Sequence, residues 1–230
     1  MSDAGDAVYK FVIEDGTEKK SSRDYTGKAT AYYPNGDIYE GLFVMGVRDG
    51  YGVYKYASGQ VYEGDFKENL KHGIGRMSYG KKGSYHGYFE SGKRHGEGVF
   101  MYTNGDTYSG WWKDGLKEGK GTYIFKDTGM KLKGVWKGGN LTDGQWELPS
   151  GVHFQGTFDN NKPNGEGKWL FPNSNEVCGE YHQTVAEGDD DPPAGDEEEE
   201  EGAVKKVKVD VKWQTHPHLF DSAFAINRVL

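Results

Sequence analysis

A fixed period of 23 residues organises most of this sequence. Tyr39, Tyr62, Tyr85 and Tyr108 follow one another at this spacing, and each begins a similar run of glycines and aromatic residues. The stretch YHGYFESGKRHGEGVFMYTNG, which ends at Gly105, shows the whole order of residue types. Self-similarity at a period of this size indicates a stacked array in which each repeat is one supersecondary unit.

Each repeat opens with an alternating pattern of ring, glycine and ring. In Tyr85-x-Gly87-x-Phe89 the three named positions lie on one face of a β-strand, because side chains alternate between the two faces. Later copies, from Leu132 onward, drift from this pattern. The sequence predicts a ring-bearing face that binds partner proteins, formed by Tyr39, Phe43, Tyr62, Phe66, Tyr85, Phe89, Tyr108, Trp112, Trp136 and Phe158.

Glycines recur in both strands of the repeat. We expect the first-strand glycine to leave room for an aromatic side chain from a neighbouring strand. The second strand begins with a His-Gly-x-Gly run, and Gly or Asn occupies the turn before it, where a positive φ is accepted. The repeat glycines are Gly41, Gly64, Gly87 and Gly110 in the first strand, and Gly73, Gly75, Gly96 and Gly98 in the second.

Two short strands joined by such a turn predict that each repeat is a β-hairpin. A single hairpin is marginally stable in water, so the hairpins are expected to stack edge to edge. The predicted fold is all-β: an elongated, single-layer antiparallel sheet of about seven hairpins with contacts mainly between neighbours. The spacing of the copies places one inserted residue near Asp127–Gly129 and one lost residue near Asn140.

Four segments are predicted along the chain. Residues 1–24 form a weak strand followed by a loop, and residues 25–184 form the repeat array. Residues 185–203 form an acidic, disordered linker. This linker is either a solvated spacer or a segment that docks on a basic surface. Residues 204–230 form a C-terminal segment that includes an apolar tail.

The C-terminal segment contains a strand-like alternation of apolar and charged residues. Val207, Val209, Val211 and Trp213 alternate with lysine and aspartate. Such a strand is predicted to add to an exposed sheet edge of this chain or of a partner. The alternative is a tail that becomes ordered only in the assembly.

Charge is distributed unevenly along the chain. Residues 1–186 carry 23 Lys/Arg against 24 Asp/Glu, whereas residues 187–230 carry 5 against 12. The nearly neutral array lacks the basic excess that general nucleic-acid binding requires, so no nucleic-acid partner is predicted. With 34% hydrophobic residues and a mean hydropathy of −0.86, the chain also lacks the material for one large globular core.

Composition also indicates the compartment. The lone Cys178 excludes an internal disulfide framework and is typical of a reducing environment. The acidic first residues differ from a secretory signal, and no apolar run approaches the roughly 20 residues that span a bilayer. We therefore expect a cytoplasmic or cytoskeletal protein.

The candidate chemistry is sparse. His72 and His95 occupy a repeat position that elsewhere holds Asp49, Glu118 or Asn164, so they are interpreted as replaceable turn residues rather than catalytic groups. The glycine-rich runs lack the Lys-Ser/Thr of a phosphate-binding loop and no helix follows them. The sequence predicts no catalytic, cofactor-binding or metal site, no small-molecule substrate and no enzyme activity.

The run from Tyr85 to Gly98 resembles the MORN repeat, a β-hairpin unit of 23 residues. The resemblance spans about Gly27 to Tyr181, with departures at the His position and at Thr142. The order of regular and degenerate repeats, followed by an acidic run and a short Val-Lys-Trp segment, is similar to the radial spoke head MORN proteins of motile cilia and flagella, of the protein 1 and protein 10 type.

This resemblance implies a structural subunit of the axonemal radial spoke head, in the cytoskeleton of a cilium or flagellum. The implied partners are other spoke head subunits, the central-pair projections, and a MORN paralogue or a second copy of the chain. The alternative is a membrane-associated MORN adaptor that binds phospholipid and tethers a partner. Basic turns such as Lys93-Arg94 favour that alternative, but the acidic Glu90 and Glu97 beside them offset the charge, so lipid is not the predicted partner.

Overall fold

The computed structural model describes residues 8–185 and 209–216 of the chain. These residues form seventeen β-strands and one 3-10 turn, and every strand pairing is antiparallel. The prediction of an all-β, antiparallel sheet built from stacked hairpins is confirmed. The chain divides into two compact parts, residues 1–115 and residues 116–230, and each is described in turn.

The N-terminal part consists of ten strands in which, from β3 onward, each strand pairs with the next. These strands are β1 (Lys10–Ile13), β2 (Glu18–Lys19), β3 (Gly27–Tyr32), β4 (Ile38–Val44), β5 (Val47–Lys55), β6 (Val61–Lys67), β7 (Leu70–Ser78), β8 (Ser84–Glu90), β9 (Lys93–Met101) and β10 (Thr107–Lys113). The 3-10 turn, Gly80–Lys82, connects β7 to β8.

The register places one glycine of each strand from β4 to β10 opposite a glycine of the next strand. Each glycine pairs with the glycine of the next strand, which forms one continuous glycine row. The members of the row are Gly41, Gly52, Gly64, Gly75, Gly87, Gly98 and Gly110.

Strand β1 adds to the sheet at the start of the repeat array. This strand pairs with β3, and Phe11 is fully buried against Phe43 at a ring separation of 5.0 Å. The segment predicted as a loop also contains β2, which pairs with β1. The Ser22 hydroxyl donates a hydrogen bond of 2.9 Å to the Gly46 carbonyl. These contacts anchor the N-terminal segment to the first repeats.

Tight turns join the two strands of the hairpins. In Ser91-Gly92 both residues have positive φ (50° and 85°), as in the type I′ turn that matches the twist of a hairpin. Glu68-Asn69 has the same geometry, at 49° and 70°. The Gly92 amide donates to the Lys71 carbonyl of the preceding repeat at 3.0 Å. The predicted positive φ of the turn glycines and asparagines is confirmed.

The C-terminal part consists of seven strands, each of which pairs with the next. They are β11 (Leu116–Ile124), β12 (Lys131–Lys137), β13 (Asn140–Glu147), β14 (His153–Asp159), β15 (Lys162–Leu170), β16 (Glu176–Val185) and β17 (Val209–Thr215).

The two irregularities predicted from the spacing lie where they were expected. In the link between β11 and β12, the Gly129 amide donates a hydrogen bond to the Phe125 carbonyl, four residues earlier in the chain. The other links, such as that at Gly105, close over three residues. On β13 a single residue, Thr142, is left without a partner on β12, whereas on β7 two residues, Gly73 and Ile74, are left without a partner on β6.

The strand predicted in the C-terminal segment is present as β17 and pairs with β16. Val211 lies opposite Gln183, and Trp213 lies opposite Tyr181. Pairing to this chain's own sheet edge is therefore confirmed for the described strand. Val207, the acidic run and residues 217–230 lie outside the described residues.

Candidate protein-binding face

The ten predicted rings are first-strand residues, and in each part they all lie on one face of the sheet. We call this ring-bearing face the inner face of that part. All ten are at most 6% exposed. We expected part of this ring surface to remain available, but these side chains are buried by their neighbours within the sheet. Partner binding through these ten rings stays a prediction, and the groups around them carry the accessible chemistry.

In the N-terminal part the buried rings form a continuous zigzag row. Ring centroids of consecutive members are 5.0–5.3 Å apart and the ring planes cross at 81–90°. This edge-to-face arrangement contributes roughly 0.5–1.5 kcal/mol per pair beyond area burial. The row runs through Phe11, Phe43, Tyr39, Phe66, Tyr62, Phe89, Tyr85, Trp112 and Tyr108.

The glycine row exists because the repeat tyrosine lies flat across it. A Cβ atom added to Gly98 would lie 2.5 Å from Tyr85 Cε2, and one added to Gly87 would lie 2.5 Å from the Tyr85 hydroxyl. The ring over the first-strand glycine therefore comes from the same strand, two residues earlier. Our expectation of a ring from a neighbouring strand was wrong for this position, because the tyrosine folds back over its own strand.

The tyrosine hydroxyl has a definite partner at a β-bulge. On β7, Gly73 and Ile74 have no partner on β6, because Gly64 pairs with Gly75 and the next pair is Asp65 with His72. The Tyr62 hydroxyl donates to the Asp65 carbonyl at 2.9 Å and lies 3.3 Å from the His72 carbonyl. The hydroxyl thus lies against the carbonyls of both Asp65 and His72, the pair that borders the bulge.

Glycine is required at the two positions of the His-Gly-x-Gly run for different physical reasons. The first, Gly73 or Gly96, sits in the bulge at a φ of 60°, a conformation that glycine adopts without strain. The second, Gly75 or Gly98, lies under a tyrosine ring. His95 approaches Glu90, with 3.3 Å between Nε2 and the carboxylate, so its side chain supports the hairpin as predicted for a turn residue.

A threonine replaces the tyrosine hydroxyl in the first drifted repeat. Leu132 occupies the tyrosine position and carries no hydroxyl. Thr142 Oγ1 instead donates to the Val135 carbonyl at 3.1 Å. By position after the first-strand glycine, this carbonyl corresponds to that of Asp65.

The next repeat uses another threonine for the same purpose. Phe154 lies over Gly156 and Gly167 as the tyrosines lie over their glycines. The Thr157 hydroxyl donates to the Asn164 carbonyl, which corresponds to that of His72. The sequence departures at these repeats are therefore compensated by a hydroxyl from a neighbouring position.

A row of cations, which the sequence reasoning missed, lies against the rings. The Arg94 guanidinium lies 4.6 Å from the Trp112 ring and 5.4 Å from the Phe100 ring. Arg48 lies 4.9 Å from Tyr54 in the same way. The cation position recurs with the period of the repeat, at Arg48, Lys71, Arg94 and Lys117. That periodicity is the signal that could have identified these residues.

The cations are partly exposed and partly desolvated by the rings. Arg48 donates to the Asn69 carbonyl at 3.1 Å, and Arg94 donates to the Gly115 carbonyl at 2.7 Å. Burial, followed by the charge of Arg94, lowers the pKa of Lys71 below its usual range. In the part of the chain that the structure describes, none of Arg48, Lys71 and Arg94 forms a salt bridge. The Lys93-Arg94 pair is therefore divided, with Arg94 turned to the inner face.

Second-strand aromatic residues border this row and remain partly exposed. They include Tyr54, Tyr56, Tyr79 and Tyr102. Burial raises the pKa of Tyr102 to about 12, and the pKa of Tyr54 is raised by burial and by its hydrogen bond to Asp37. These neutral, half-buried hydroxyls and rings, together with the cations, form the accessible surface of the inner face.

The outer face of the N-terminal part has a different character. Tyr51, Ile74, Tyr88 and Trp111 are each about half exposed there, at 49–52%. Charges of both signs surround them, because the residues that alternate with the inner rings include exposed acids and bases. No sequence prediction singled out this surface.

In the C-terminal part β17 extends the inner face. The Trp213 ring packs against Tyr181 at 5.0 Å and against Phe154 at 5.9 Å. A Cβ atom on Gly179 would lie 2.6 Å from this indole. Trp213 thus covers a first-strand glycine from the neighbouring strand, whereas each repeat tyrosine covers the first-strand glycine of its own strand. Of the predicted edge strand, the Trp213 side chain is thus directed to the rings of this part.

Within residues 8–185 and 209–216, no group of three or more His, Cys, Asp or Glu residues is arranged to hold a metal ion. Among the same residues there is no helix of the length and hydropathy needed to cross a bilayer.

Comparison with solved structures finds a distant likeness. One similar structure is the TCP domain of SAS-4 (dCPAP) of Drosophila melanogaster in complex with a proline-rich motif of Ana2 (dSTIL). The two share 16% sequence identity at a TM-score of 0.43, over 68% of this chain and 87% of that chain. Among curated proteins, none matches the chain.

Five intervals of the chain match one protein family. The model of the MORN repeat matches residues 39–61, 62–84, 85–107, 108–130 and 154–176, which together make up half of the chain. The unmatched interval, residues 131–153, is the repeat in which Leu132 and Thr142 replace the usual residues. On the period, the hairpin geometry and these five matches, the chain belongs to the MORN repeat family.

Proposed function

We propose that this chain is a non-enzymatic scaffold that binds segments of partner proteins along the inner face of its repeats. The observation that supports this most directly is the row of partly exposed cations and tyrosines beside the buried rings of the inner face. The rings fix the positions of the accessible groups, and the period places one copy of the same groups on each hairpin. A regular series of this kind is suited to holding an elongated segment.

We propose further that the assembly it serves is the radial spoke head of motile cilia and flagella. The support is the resemblance in repeat order, acidic run and Val-Lys-Trp strand. Its partners there are other spoke head subunits, a MORN paralogue or a second copy, and the central-pair projections. The chain then acts in the axoneme and contributes to motility by positioning these partners.

Fractionation of motile cilia tests this proposal. The endogenous protein is expected to remain with demembranated axonemes and to be released by high salt together with spoke head subunits. Spokeless mutant axonemes are the matched control and are expected to lack it. Recovery only in the detergent-soluble membrane fraction, or equal recovery from spokeless axonemes, would contradict the spoke head assignment.

A membrane-associated adaptor is the second candidate, because the inner-face cations could also bind lipid phosphates. Flotation with vesicles that contain phosphatidylserine separates the two functions. The scaffold proposal expects no protein in the floating fraction at physiological salt. Flotation that is lost when Arg48, Lys71 and Arg94 are replaced would support the adaptor.

A further inference from the structure

Three cations of the N-terminal part are aligned at one level of the inner face. Arg48, Lys71 and Arg94 lie opposite Phe43, Phe66 and Phe89, respectively, in register with one another. Each belongs to the second strand of its hairpin, so consecutive cations are two strands apart. With strands about 4.8 Å apart, the cations are spaced by roughly 10 Å.

The inner face provides few carboxylates to neutralise these cations. Asp37, which interacts electrostatically with Arg48, is nearly buried and already accepts hydrogen bonds from Tyr54, Asn35 and the Ala57 amide. The acids of strands β4 to β9 that alternate with the rings, such as Glu63, lie on the outer face and are exposed. The three cations are thus partly desolvated and without an ion-pair partner among the described residues.

The groups beside the cations are aromatic. Arg48 lies 4.9 Å from Tyr54, and Arg94 lies 5.4 Å from Phe100, which belong to the same strands as these cations. Ring surface therefore flanks the row of cations along its length. A segment in polyproline II conformation has three residues per turn and advances about 3.1 Å per residue, so every third side chain returns to the same side after about 9 Å, close to the spacing of the cations.

We propose that the row of Arg48, Lys71 and Arg94 binds an acidic segment of a partner protein in the extended polyproline II conformation, in which carboxylates recur at every third residue and apolar side chains stand between them. Each carboxylate pairs with one cation, and the intervening side chains lie on the rings. This inference rests on the proposed scaffold function and specifies the chemistry of the segment that it holds.

Direct binding of synthetic peptides to the full chain tests the proposal. The probe is a fluorescent peptide of about nine residues with Glu at every third position and Leu or Pro between them. The matched peptides have Gln for Glu, or the same residues with the Glu contiguous. A further peptide of about 15 residues has Glu at every seventh position, the helical spacing that corresponds to roughly 10 Å. We expect the first peptide to bind at least about tenfold more tightly than the Gln peptide, because three ion pairs of even modest energy together exceed 1.4 kcal/mol.

Protein variants test whether binding depends on the inner-face cations or only on the overall charge of the chain. Replacing all three cations (Arg48→Met, Lys71→Met, Arg94→Met) keeps the apolar stem on the rings and removes the charge. The control replaces the exposed outer-face cations Arg76 and Lys67 with Met. We expect the first variant to lose about tenfold or more in affinity and the control to retain it. Circular dichroism checks that both variants keep the β-sheet.

Several outcomes would overturn the proposal. Equal binding of the Glu and Gln peptides, or an equal loss in the outer-face control, would show that the row is not selective. Tighter binding of the peptide with every seventh residue acidic would exclude an extended occupant. Binding seen only after residues 187–203 are deleted would assign the row to the chain's own acidic run. Loss of vesicle binding in the triple variant, with no competition by the acidic peptide, would assign it to lipid.

Failure of this proposal and failure of the spoke head proposal can be distinguished. A triple variant that still enters axonemes, together with a peptide that does not bind, rejects the acidic segment and leaves the scaffold role. A peptide that binds as expected to a protein absent from axonemes rejects the spoke head and leaves the acidic-segment site.

Discussion

The repeat tyrosine does two things at once, which makes it the residue on which each hairpin depends. Its ring covers a pair of glycines, and its hydroxyl reaches the carbonyls at the bulge. An unpaired buried carbonyl costs more than a typical hydrogen bond contributes. Removing the hydroxyl alone therefore leaves the ring packing and tests the second role.

We predict that Tyr62→Phe lowers the free energy of unfolding by about 1 kcal/mol. The reason is the loss of the hydrogen bond to the Asp65 carbonyl, with no change in ring packing. Chemical denaturation measures the difference. Tyr51→Phe is the control, because this tyrosine is 52% exposed on the outer face. A loss as large for Tyr51→Phe as for Tyr62→Phe would contradict a special role for the bulge.

The glycine row yields a second residue-level prediction. Gly98→Ala is expected to destabilise the chain by about 3 kcal/mol, because the added methyl meets the Tyr85 ring. In a Tyr85→Ala background the same substitution should cost less than about 1 kcal/mol, since the obstructing ring is gone. Denaturation of the four proteins gives the coupling energy. Additive effects would show that the ring and the glycine are independent.

At the residue scale, the sequence identified which rings and glycines are equivalent, but it did not identify what each side chain contacts. Period and residue type correctly indicated that the rings and glycines of each copy are equivalent. They did not indicate that Tyr85 folds over its own strand, because strand alternation alone places a side chain on a face and not over a particular neighbour. The cation row was missed because Arg and Lys alternate in it and because Lys93-Arg94 was interpreted as a solvent-exposed pair.

At the scale of elements, each hairpin is defined by a type I′ turn at one end and a bulge near the glycine pair. The turn follows from residue type, so the sequence predicted it. The bulge depends on how two strands pair, which no single strand specifies. Thr142 illustrates this, because its hydroxyl has a function only once Val135 is placed opposite the shortened bulge.

Strand β17 is the element whose contribution can be isolated most cleanly. We predict that Trp213→Ala speeds amide hydrogen exchange in β17 and at the paired edge of β16, because its contacts with Tyr181 and Phe154 hold the strand in place. Exchange in β12 to β14 should not change. Gln214→Ala, at an exposed position of the same strand, is the control. Unaltered exchange in the tryptophan variant would mean that backbone pairing alone retains β17.

At the scale of the whole molecule, the buried tyrosines link stability to alkaline pH. The pKa of Tyr102 is raised to about 12 by burial, and burial raises the pKa values of Tyr39, Tyr62 and Tyr85 as well. In the unfolded chain these groups ionise near pH 10, so their contribution is complete below that pH. It is lost as the pH rises above 10, because the unfolded state then releases protons that the folded state retains.

We therefore predict that the free energy of unfolding falls between about pH 10 and pH 12. Tyrosinate absorbance should show two classes of tyrosine, with the exposed class ionising first. Tyr102→Phe should reduce the slope of stability against pH in this range, because burial raises the pKa of this tyrosine. A single ionisation of all tyrosines near pH 10 in the folded chain would be inconsistent with the buried positions.

How partners use this molecule cannot be obtained from the repeat pattern alone. Alternation predicted two faces, but both carry aromatic residues at regular intervals, and the sequence assigned partner binding to rings that are buried. Burial and charge separate the faces: cations and half-buried tyrosines lie on the inner one, and Tyr51, Ile74, Tyr88 and Trp111 lie on the outer one. The proposed scaffold function therefore depends on which face meets a partner.

Site-specific photo-crosslinking in isolated axonemes measures this directly. A benzophenone amino acid is placed either at Tyr56, which is half-buried beside the inner-face cations, or at Tyr51, which is exposed on the outer face. The account predicts protein crosslinks to spoke head subunits from position 56, reduced when Arg48, Lys71 and Arg94 are replaced by Met. Crosslinks to those subunits from position 51 alone, or crosslinks to lipid from position 56, would contradict it.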